Sequence, residues 1–146
     1  YLGAETSVFN SDQTIVGLNW FRSFDANQKL VAFLGTYLGK ESDIRGNPSG
    51  EKDFAGVRLG GQYGLASNWA MFAILGLMSA DSQRFQVIHK KTRNDKRYDF
   101  SLGMNYALWE SWLLRPQLNL TRQDSSISLY EFNRQEISVT LRRDWR

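Results

Sequence analysis

Residues 98–108 read YDFSLGMNYAL, and the character of the side chains alternates along the whole stretch. Every second residue, starting at Tyr98, is large and apolar, whereas the residues between them are polar or small. Successive side chains of a β-strand point to opposite faces, so a period of two predicts a strand with one apolar face. The same alternation recurs in 55–63, 114–121 and 136–145, and no stretch has the spacing of an amphipathic helix. The chain is therefore predicted to be all-β.

Extending this reading to the whole chain predicts eight antiparallel strands in one domain, residues 1–146. The third and fifth strands are apolar on both faces, so alternation cannot orient them. Pro116 lies within the seventh strand, where it cannot donate a ladder hydrogen bond. We expect either a bulge there or a strand that begins one or two residues later than residue 112. The predicted strands cover residues 2–9, 13–24, 29–41, 53–64, 69–88, 95–108, 112–124 and 134–145.

The connections between these strands alternate in length. Short turns are expected at 25–28, 66–68 and 110–111, and longer links at 41–52, around 84–97 and at 125–133, with 10–12 a shorter member of the same set. Outer-membrane barrels have this asymmetry, with short periplasmic turns and longer external loops. The pattern predicts an up-and-down transmembrane β-barrel in a bacterial outer membrane, and an even strand number would place both chain ends on the periplasmic side.

Composition excludes several other classes of protein. With 146 residues, 42% hydrophobic, and no cysteine, the chain has neither a disulfide scaffold nor a thiolate metal site. The 18 basic and 15 acidic residues are too balanced to indicate nucleic-acid binding. The longest apolar run, 69–78, is shorter than the about 20 residues of a membrane-spanning helix. His89 is the one histidine, so we expect no metal, no cofactor and no catalytic triad, and hence no enzyme.

The positions of charged residues indicate which face meets which solvent. All six lysines lie at strand ends or in loops, whereas a water-facing strand surface usually carries several. We therefore expect the apolar face to contact lipid and the polar face to line a lumen, where carboxylates beside arginines form structural ion pairs. The predicted lumen-facing residues are Arg58, Gln62, Asp99, Asn105, Arg115, Gln117, Glu136 and Arg142.

The aromatic residues provide an independent indication. Indole favours the membrane interface, and all five tryptophans lie near short turns or the C-terminus. The predicted periplasmic girdle consists of Trp20, Trp69, Trp109, Trp112 and Trp145, and a second belt near the long loops of Phe54, Phe85, Tyr98, Tyr130 and Phe132. The alternative is that these are ordinary hairpin and core aromatics.

One dense basic patch lies on the link between the fifth and sixth predicted strands, with its tip near Arg93-Asn94-Asp95. Such a patch could bind lipopolysaccharide phosphates or an acidic partner. A solvated hairpin is slightly favoured, because Asp95 and Asp99 partly offset the charge. The patch consists of Arg84, Lys90, Lys91, Arg93, Lys96 and Arg97.

The final third of the chain resembles a known barrel family. Residues 124–134 read DSSISLYEFNR, and together with 97–99, 113–118 and 141–145 they resemble the C-terminal barrel of surface lipoprotein assembly modifier (Slam) proteins and related porin-like barrels. The resemblance implies a barrel of about fourteen strands beside a periplasmic repeat domain, which helps client lipoproteins or secreted proteins reach the cell surface.

The resemblance also implies that the barrel-assembly machinery reads the C-terminal strand. The matching assembly signal is Val139, Leu141 and Trp145. Family members usually end in Phe, whereas here Trp145 precedes Arg146.

Three functions stay open at this point. The first is part of a Slam-like translocation barrel, with outer-membrane lipid, lipopolysaccharide and a client protein as partners. The second is a complete eight-stranded barrel with a structural or adhesive role through its external loops. The third is a soluble ligand-binding barrel with its faces inverted, which the placement of lysine and tryptophan disfavours.

Overall fold

The computed structural model describes residues 11–25, 29–43, 51–86, 91–109 and 111–145, with the backbone alone at 11, 43, 83–86 and 91. These residues form seven strands and one short 3₁₀ helix, Ser128–Tyr130. The strands are β1 (Ser11–Ser23), β2 (Leu30–Asp43), β3 (Lys52–Ala66), β4 (Trp69–Gln86), β5 (Lys91–Trp109), β6 (Trp112–Ser125) and β7 (Phe132–Arg143).

The strands form one antiparallel sheet in the order of the chain, from β1 to β7. Each strand pairs with its chain neighbours, which confirms the predicted all-β, up-and-down architecture. The predicted first strand, 2–9, lies outside the described residues. Within the described residues, no helix is both long enough and apolar enough to cross a bilayer.

Two local predictions differ from the structure. The β6–β7 register runs unbroken through the pair of Pro116 with Val139, so the predicted bulge at Pro116 is wrong. The β5–β6 pairs stop at Gly103 and resume at Tyr106 in the same register, and the shift occurs instead between Ala107 and Trp109. The missing N–H of proline is thus accommodated by a local gap in the ladder.

The hairpin of β4 and β5 is also more extended than predicted. The two strands have 18 and 19 residues, so they exceed the about 9–11 residues that cross a bilayer. Arg93-Asn94-Asp95, expected at the hairpin tip, lies inside β5, where Asp95 pairs with Ala80 on one side and Ser125 on the other.

The register defines two faces, which we name the polar face and the apolar face. Directly paired residues point to the same side of a sheet, so one row across all seven strands identifies each face. A row of the polar face contains Asn19, Gly35, Arg58, Gly76, Asp99, Thr121 and Arg134. The adjacent row of the apolar face contains Trp20, Leu34, Leu59, Leu75, Phe100, Leu120 and Gln135.

Burial is inverted relative to a water-soluble protein. On β4 the polar-face residues Gly76 and Ala80 are buried, whereas Leu75 and Leu77 of the apolar face are about half exposed. The apolar side chains buried among the described residues are Phe54, Ala80 and Ile127 alone. The sheet therefore lacks a conventional hydrophobic core.

Aromatic rings on the polar face cover glycines of the neighbouring strand. Each ring lies directly opposite its glycine, and a Cβ added at any of these glycines would overlap the ring. Such pairs fix the strand register, because a slip of one residue would move every ring to the other face. The glycine–aromatic pairs are Phe33 with Gly60, Tyr37 with Gly56, Phe54 with Gly39, and Phe72 with Gly103.

Candidate functional site

Among the residues that the structure describes, the central band of the apolar face carries no charged side chain. On β4 and β5 this band comprises the apolar-face residues within 69–79 and 98–108, a length comparable to the about 9–11 residues of a transmembrane strand. Among the described strands, Arg22 and Arg143 lie on this face at the short-turn end. At the long-loop end the charged residues of this face are Asp12, Lys40, Asp53, Asp81, Lys96, Arg122 and Asp124.

The eight residues predicted to face a lumen all lie on the polar face. Three of them, Gln62, Asn105 and Arg115, are joined by hydrogen bonds across β3, β5 and β6. The Nε of Arg115 donates to the Oδ1 of Asn105 at 2.7 Å, and the Nδ2 of Asn105 donates to the Oε1 of Gln62 at 3.5 Å. The Nε2 of Gln117 and the Oγ of Ser101 both donate to the Oδ1 of Asn119. Side chains of this face thus form two hydrogen-bonded groups, each of which joins neighbouring strands.

Carboxylates on the polar face are paired with arginines two residues away on the same strand. The Nε of Arg97 lies 3.0 Å from the Oδ2 of Asp99, and Arg134 pairs with Glu136. Asp99 also accepts a hydrogen bond from the Oγ1 of Thr121 at 2.8 Å. Asp99 and Glu136 thus form ion pairs, but their partners are Arg97 and Arg134 rather than the expected Arg58, Arg115 or Arg142.

The same side chains line a concavity of about 370 Å³ on the polar face, together with Arg58. Within the part of the chain that the structure describes, Arg58 and Arg115 have no carboxylate within ion-pair distance. The central part of the polar face thus has an excess of positive charge.

Four of the five tryptophans gather at the short-turn end of β4–β7, on the apolar face. Trp69 makes an edge-to-face contact with Tyr106 at a centroid distance of 5.2 Å. The register shift before Trp109 brings this residue opposite Trp112, so both point to the apolar face. Trp145 lies beyond β7, whereas Trp20 lies on the same face of β1 and pairs with Leu34.

The expected second aromatic belt is wrong for Phe54 and Phe132, which lie on the polar face. Phe54 is 8% exposed because its ring covers Gly39. Tyr98 points to the apolar face, and Tyr130 lies in the β6–β7 connection. The side chain of Phe85 lies outside the description. Hydropathy alone did not separate a ring that covers a glycine from one that faces lipid.

The β6–β7 connection packs against the long-loop end of β5. The backbone N–H of Ser126 donates to the carbonyl of Asn94 at 2.9 Å, and its hydroxyl donates to the carbonyl of Thr92 at 3.0 Å. Ile127 is 3% exposed, and the ring of Tyr130 stacks on the guanidinium of Arg93 at 3.6 Å. The sequence analysis did not predict this contact, although Ser126, Ile127 and Tyr130 belong to the run DSSISLY that it singled out.

Asp95 is the buried ionisable group of this end, at 3% exposure. Its carboxylate pairs with Arg93 at 2.6 Å and accepts a hydrogen bond from the hydroxyl of Ser125 at 2.7 Å. Burial alone would raise the pKa of Asp95, but the hydrogen bonds from Arg93 and Ser125 and the charges of Arg93 and Lys52 outweigh it and lower that pKa.

The predicted basic patch is therefore partly neutralised. Arg93 and Arg97 are bound to carboxylates on the polar face, and Lys96 lies on the apolar face. Lys90 lies outside the described residues, as does His89, and Arg84 and Lys91 are described by their backbone alone. No group of three or more metal-ligating side chains occurs among the residues described.

Two residues of the assembly signal share one side of β7. Val139 and Leu141 point to the apolar face and are 66% and 56% exposed. Trp145 lies beyond β7, and its ring stacks on Arg143 of the same face. Beyond β7, the N–H of Asp144 donates to the carbonyl of Ser111 at 2.8 Å, which fixes this segment beside the β5–β6 turn.

We compared the chain with models of known protein families and with curated proteins. Neither comparison returns a match. The resemblance to Slam barrels stays a prediction from the sequence.

Proposed function

We propose that this chain forms the wall of a transmembrane β-barrel in a bacterial outer membrane. The observation that carries the proposal is the exposed apolar face, whose central band holds no charge while charged residues occupy both of its ends. A bilayer core excludes charge and accepts apolar side chains, and its edges accept arginine, lysine and tryptophan.

The polar face supports the same orientation. Several of its arginines, carboxylates and amides are joined by ion pairs and hydrogen bonds, as is typical of groups that line a crowded interior. A soluble barrel with inverted faces would have to bury the apolar face instead, yet Leu18 and Ile137 of that face are 78% and 82% exposed. The soluble alternative is therefore disfavoured.

Within this proposal, the chain has a non-enzymatic role in the export of surface lipoproteins or secreted proteins. The support is the resemblance of 124–134 to Slam barrels, and the described part of this run forms an ordered connection on β5. The implied partners are membrane lipid, lipopolysaccharide, the barrel-assembly machinery and a client protein.

A specific observation favours a second candidate, a complete and narrow barrel that acts through its external loops. Barrels of about eight strands are filled by their own side chains. The bulky rings of four residues all lie on the polar face, where they would take up space inside a barrel: Phe33, Tyr37, Phe54 and Phe72.

Labelling at adjacent positions tests the orientation. Because the chain contains no cysteine, Leu102→Cys and Ser101→Cys each introduce a single label site on opposite faces of β5. In vesicles, a nitroxide at position 102 should be relaxed mainly by lipid-soluble oxygen and one at 101 by a water-soluble nickel chelate. The reverse pattern, or a folded protein that stays soluble without detergent, contradicts the proposal.

Conductance then separates the two candidates. We would refold the protein in detergent, verify folding by heat-modifiable gel mobility, and record from planar bilayers. Stable open steps favour the translocation barrel, since they need a lumen wider than side chains fill. Silence from folded protein favours the narrow barrel.

A further inference from the structure

Arg143 interrupts the apolar side of the last strand. It pairs directly with Trp112 of β6, so both side chains point to the apolar face. The guanidinium carbon of Arg143 lies 3.8 Å from the ring centroid of Trp145 and 5.4 Å from that of Trp112. Arg143 is thus held by two indoles at the short-turn border of the uncharged band.

Among the described residues, no neighbouring carboxylate neutralises the charge of Arg143. The adjacent Arg142 points to the polar face and pairs with Asp144 at 3.0 Å, whereas Arg143 has no carboxylate within ion-pair distance among the residues described. On the described strands, every carboxylate of the apolar face lies at the opposite end. At the short-turn end this face carries Arg22 as a second cation, 5.3 Å from the ring of Phe24.

The geometry leaves the guanidinium able to bind an anion. The indoles stack on the flat face of the Arg143 guanidinium, so the N–H donors at its edge can still bind a phosphate through two parallel hydrogen bonds. The hydrogen bond from Asp144 to Ser111 fixes the backbone between Arg143 and Trp145, which reduces the ordering that binding requires. Indoles at this depth contact the glycerol and upper acyl region of a lipid.

We propose that Arg143, Trp112 and Trp145 form a binding site for the phosphate of a glycerophospholipid in the leaflet at the short-turn end. The inference rests on the proposed membrane orientation and deepens it. A general aromatic belt would anchor the protein at the interface without regard to the lipid headgroup. This site would instead bind lipids that carry a phosphate, at one position on the proposed barrel.

The test uses quenching of tryptophan fluorescence by lipids with brominated acyl chains. The refolded protein in a neutral detergent is titrated with brominated phosphatidylglycerol or with brominated diacylglycerol, which has the same chains and no phosphate. We expect Arg143→Gln to raise the half-quenching concentration of phosphatidylglycerol about tenfold, as loss of a charge-assisted hydrogen bond does. Arg142→Gln, the matched control on the opposite face, should behave as the wild type.

Several results would overturn the proposal. Equal half-quenching concentrations for the wild type and Arg143→Gln, or for the two lipids, would show that the site does not bind the lipid phosphate. An equal loss in Arg142→Gln would indicate a general effect of net charge. If Arg143→Gln does not fold, Arg143→Lys keeps the charge without the planar fork, and an affinity equal to the wild type would exclude the bidentate site. Failure of the wild type to show heat-modifiable mobility would instead reject the membrane proposal itself.

Discussion

Each glycine–aromatic pair joins two neighbouring strands through a contact that only glycine permits. At Gly60, an added Cβ would lie 2.6 Å from the Phe33 ring and 2.9 Å from the carbonyl oxygen of Ala73. The ring and the backbone approach from different sides, so neither can move without disturbing a second strand. The glycines of the polar face are therefore packing positions, and their cost in chain entropy is offset by the rings that cover them.

We expect Gly60→Ala to lower the free energy of unfolding by about 1–3 kcal/mol, the usual effect of overpacking. Gly64→Ala is the matched control on the same strand and face, because its nearest neighbour, the carbonyl oxygen of Lys29, lies 3.7 Å from the added Cβ. Urea unfolding of the protein folded in vesicles measures the unfolding free energies of both variants. Equal unfolding free energies for the two variants would show that the ring is free to move.

Asp95 predicts a dependence of stability on pH. Its pKa is lowered in the folded state from an ordinary value of 3.8, and Asp95 lies outside the uncharged band of β5, residues 98–108. A lowered carboxyl pKa stabilises the fold fully at pH values above the unfolded pKa, and this contribution is lost as the pH falls through the folded pKa. The long-loop end of β5 should therefore loosen below pH 3.8.

The measurement is hydrogen exchange of the amides of 92–95 at pH 3 and pH 6, corrected for intrinsic rates. Asp95→Asn should cost about 1–3 kcal/mol at pH 6, since Arg93 and Ser125 lose a charged acceptor. The same variant should show a weaker change in protection between the two pH values than the wild type. Identical pH profiles for the variant and the wild type would assign the acid effect to another group.

At the scale of single elements, the two faces of a strand should respond oppositely to charge. Leu118 and Gln117 are neighbours in the middle of β6, on the apolar and polar faces. Arginine on a lipid-facing position near the bilayer midplane costs about 2–4 kcal/mol, so Leu118→Arg should destabilise the folded protein by that amount. Gln117→Arg is the control and should change the unfolding free energy far less. If Gln117→Arg lowers the unfolding free energy in urea more than Leu118→Arg does, the assignment of the lipid-facing side is wrong.

The elements also differ in how well the sequence predicts them. The alternation from Tyr98 to Leu108 predicted both faces of β5, and Pro116 apart, the alternation of β6 gave the same result. In β2 and β4 the rings of Phe33 and Phe72 point to the polar face, where hydropathy favours polar residues. Their position depends on glycines of the next strand, Gly60 and Gly103, and a pattern within one strand contains no information about its partner.

The candidate site was predictable to a similar extent. The polar-face residues and the grouping of tryptophans followed from the period of two and from the turns. The contact of the β6–β7 connection with Asn94, the burial of Asp95 and the stacking of Arg143 did not, because each depends on residues that only the register brings together.

At the scale of the whole molecule, the polar face has unbalanced charge. Asp95, Asp99 and Glu136 are each bound to an arginine, whereas Arg58 and Arg115 have no such partner among the described residues. Rings of cationic side chains favour anions in a water-filled pore. We therefore expect the proposed translocation barrel to pass anions more readily than cations.

The reversal potential in a potassium chloride gradient measures this preference. Arg58→Gln should shift the reversal potential towards that of a cation-selective channel, because one positive charge of the concavity is lost. Arg122→Gln, which removes an arginine of the apolar face, should leave it unchanged. A wild-type channel that prefers cations would contradict the assignment of Arg58 to the conduction path.

The order of the strands has a consequence for how such a wall can evolve. Every strand pairs with its neighbours in the chain, and the glycine–aromatic pairs lie between adjacent strands. A duplicated hairpin would carry its own register-fixing contacts with it and would leave the existing pairs intact. Tandem duplication within the gene can therefore widen the sheet two strands at a time, and the existing strand pairs stay unchanged.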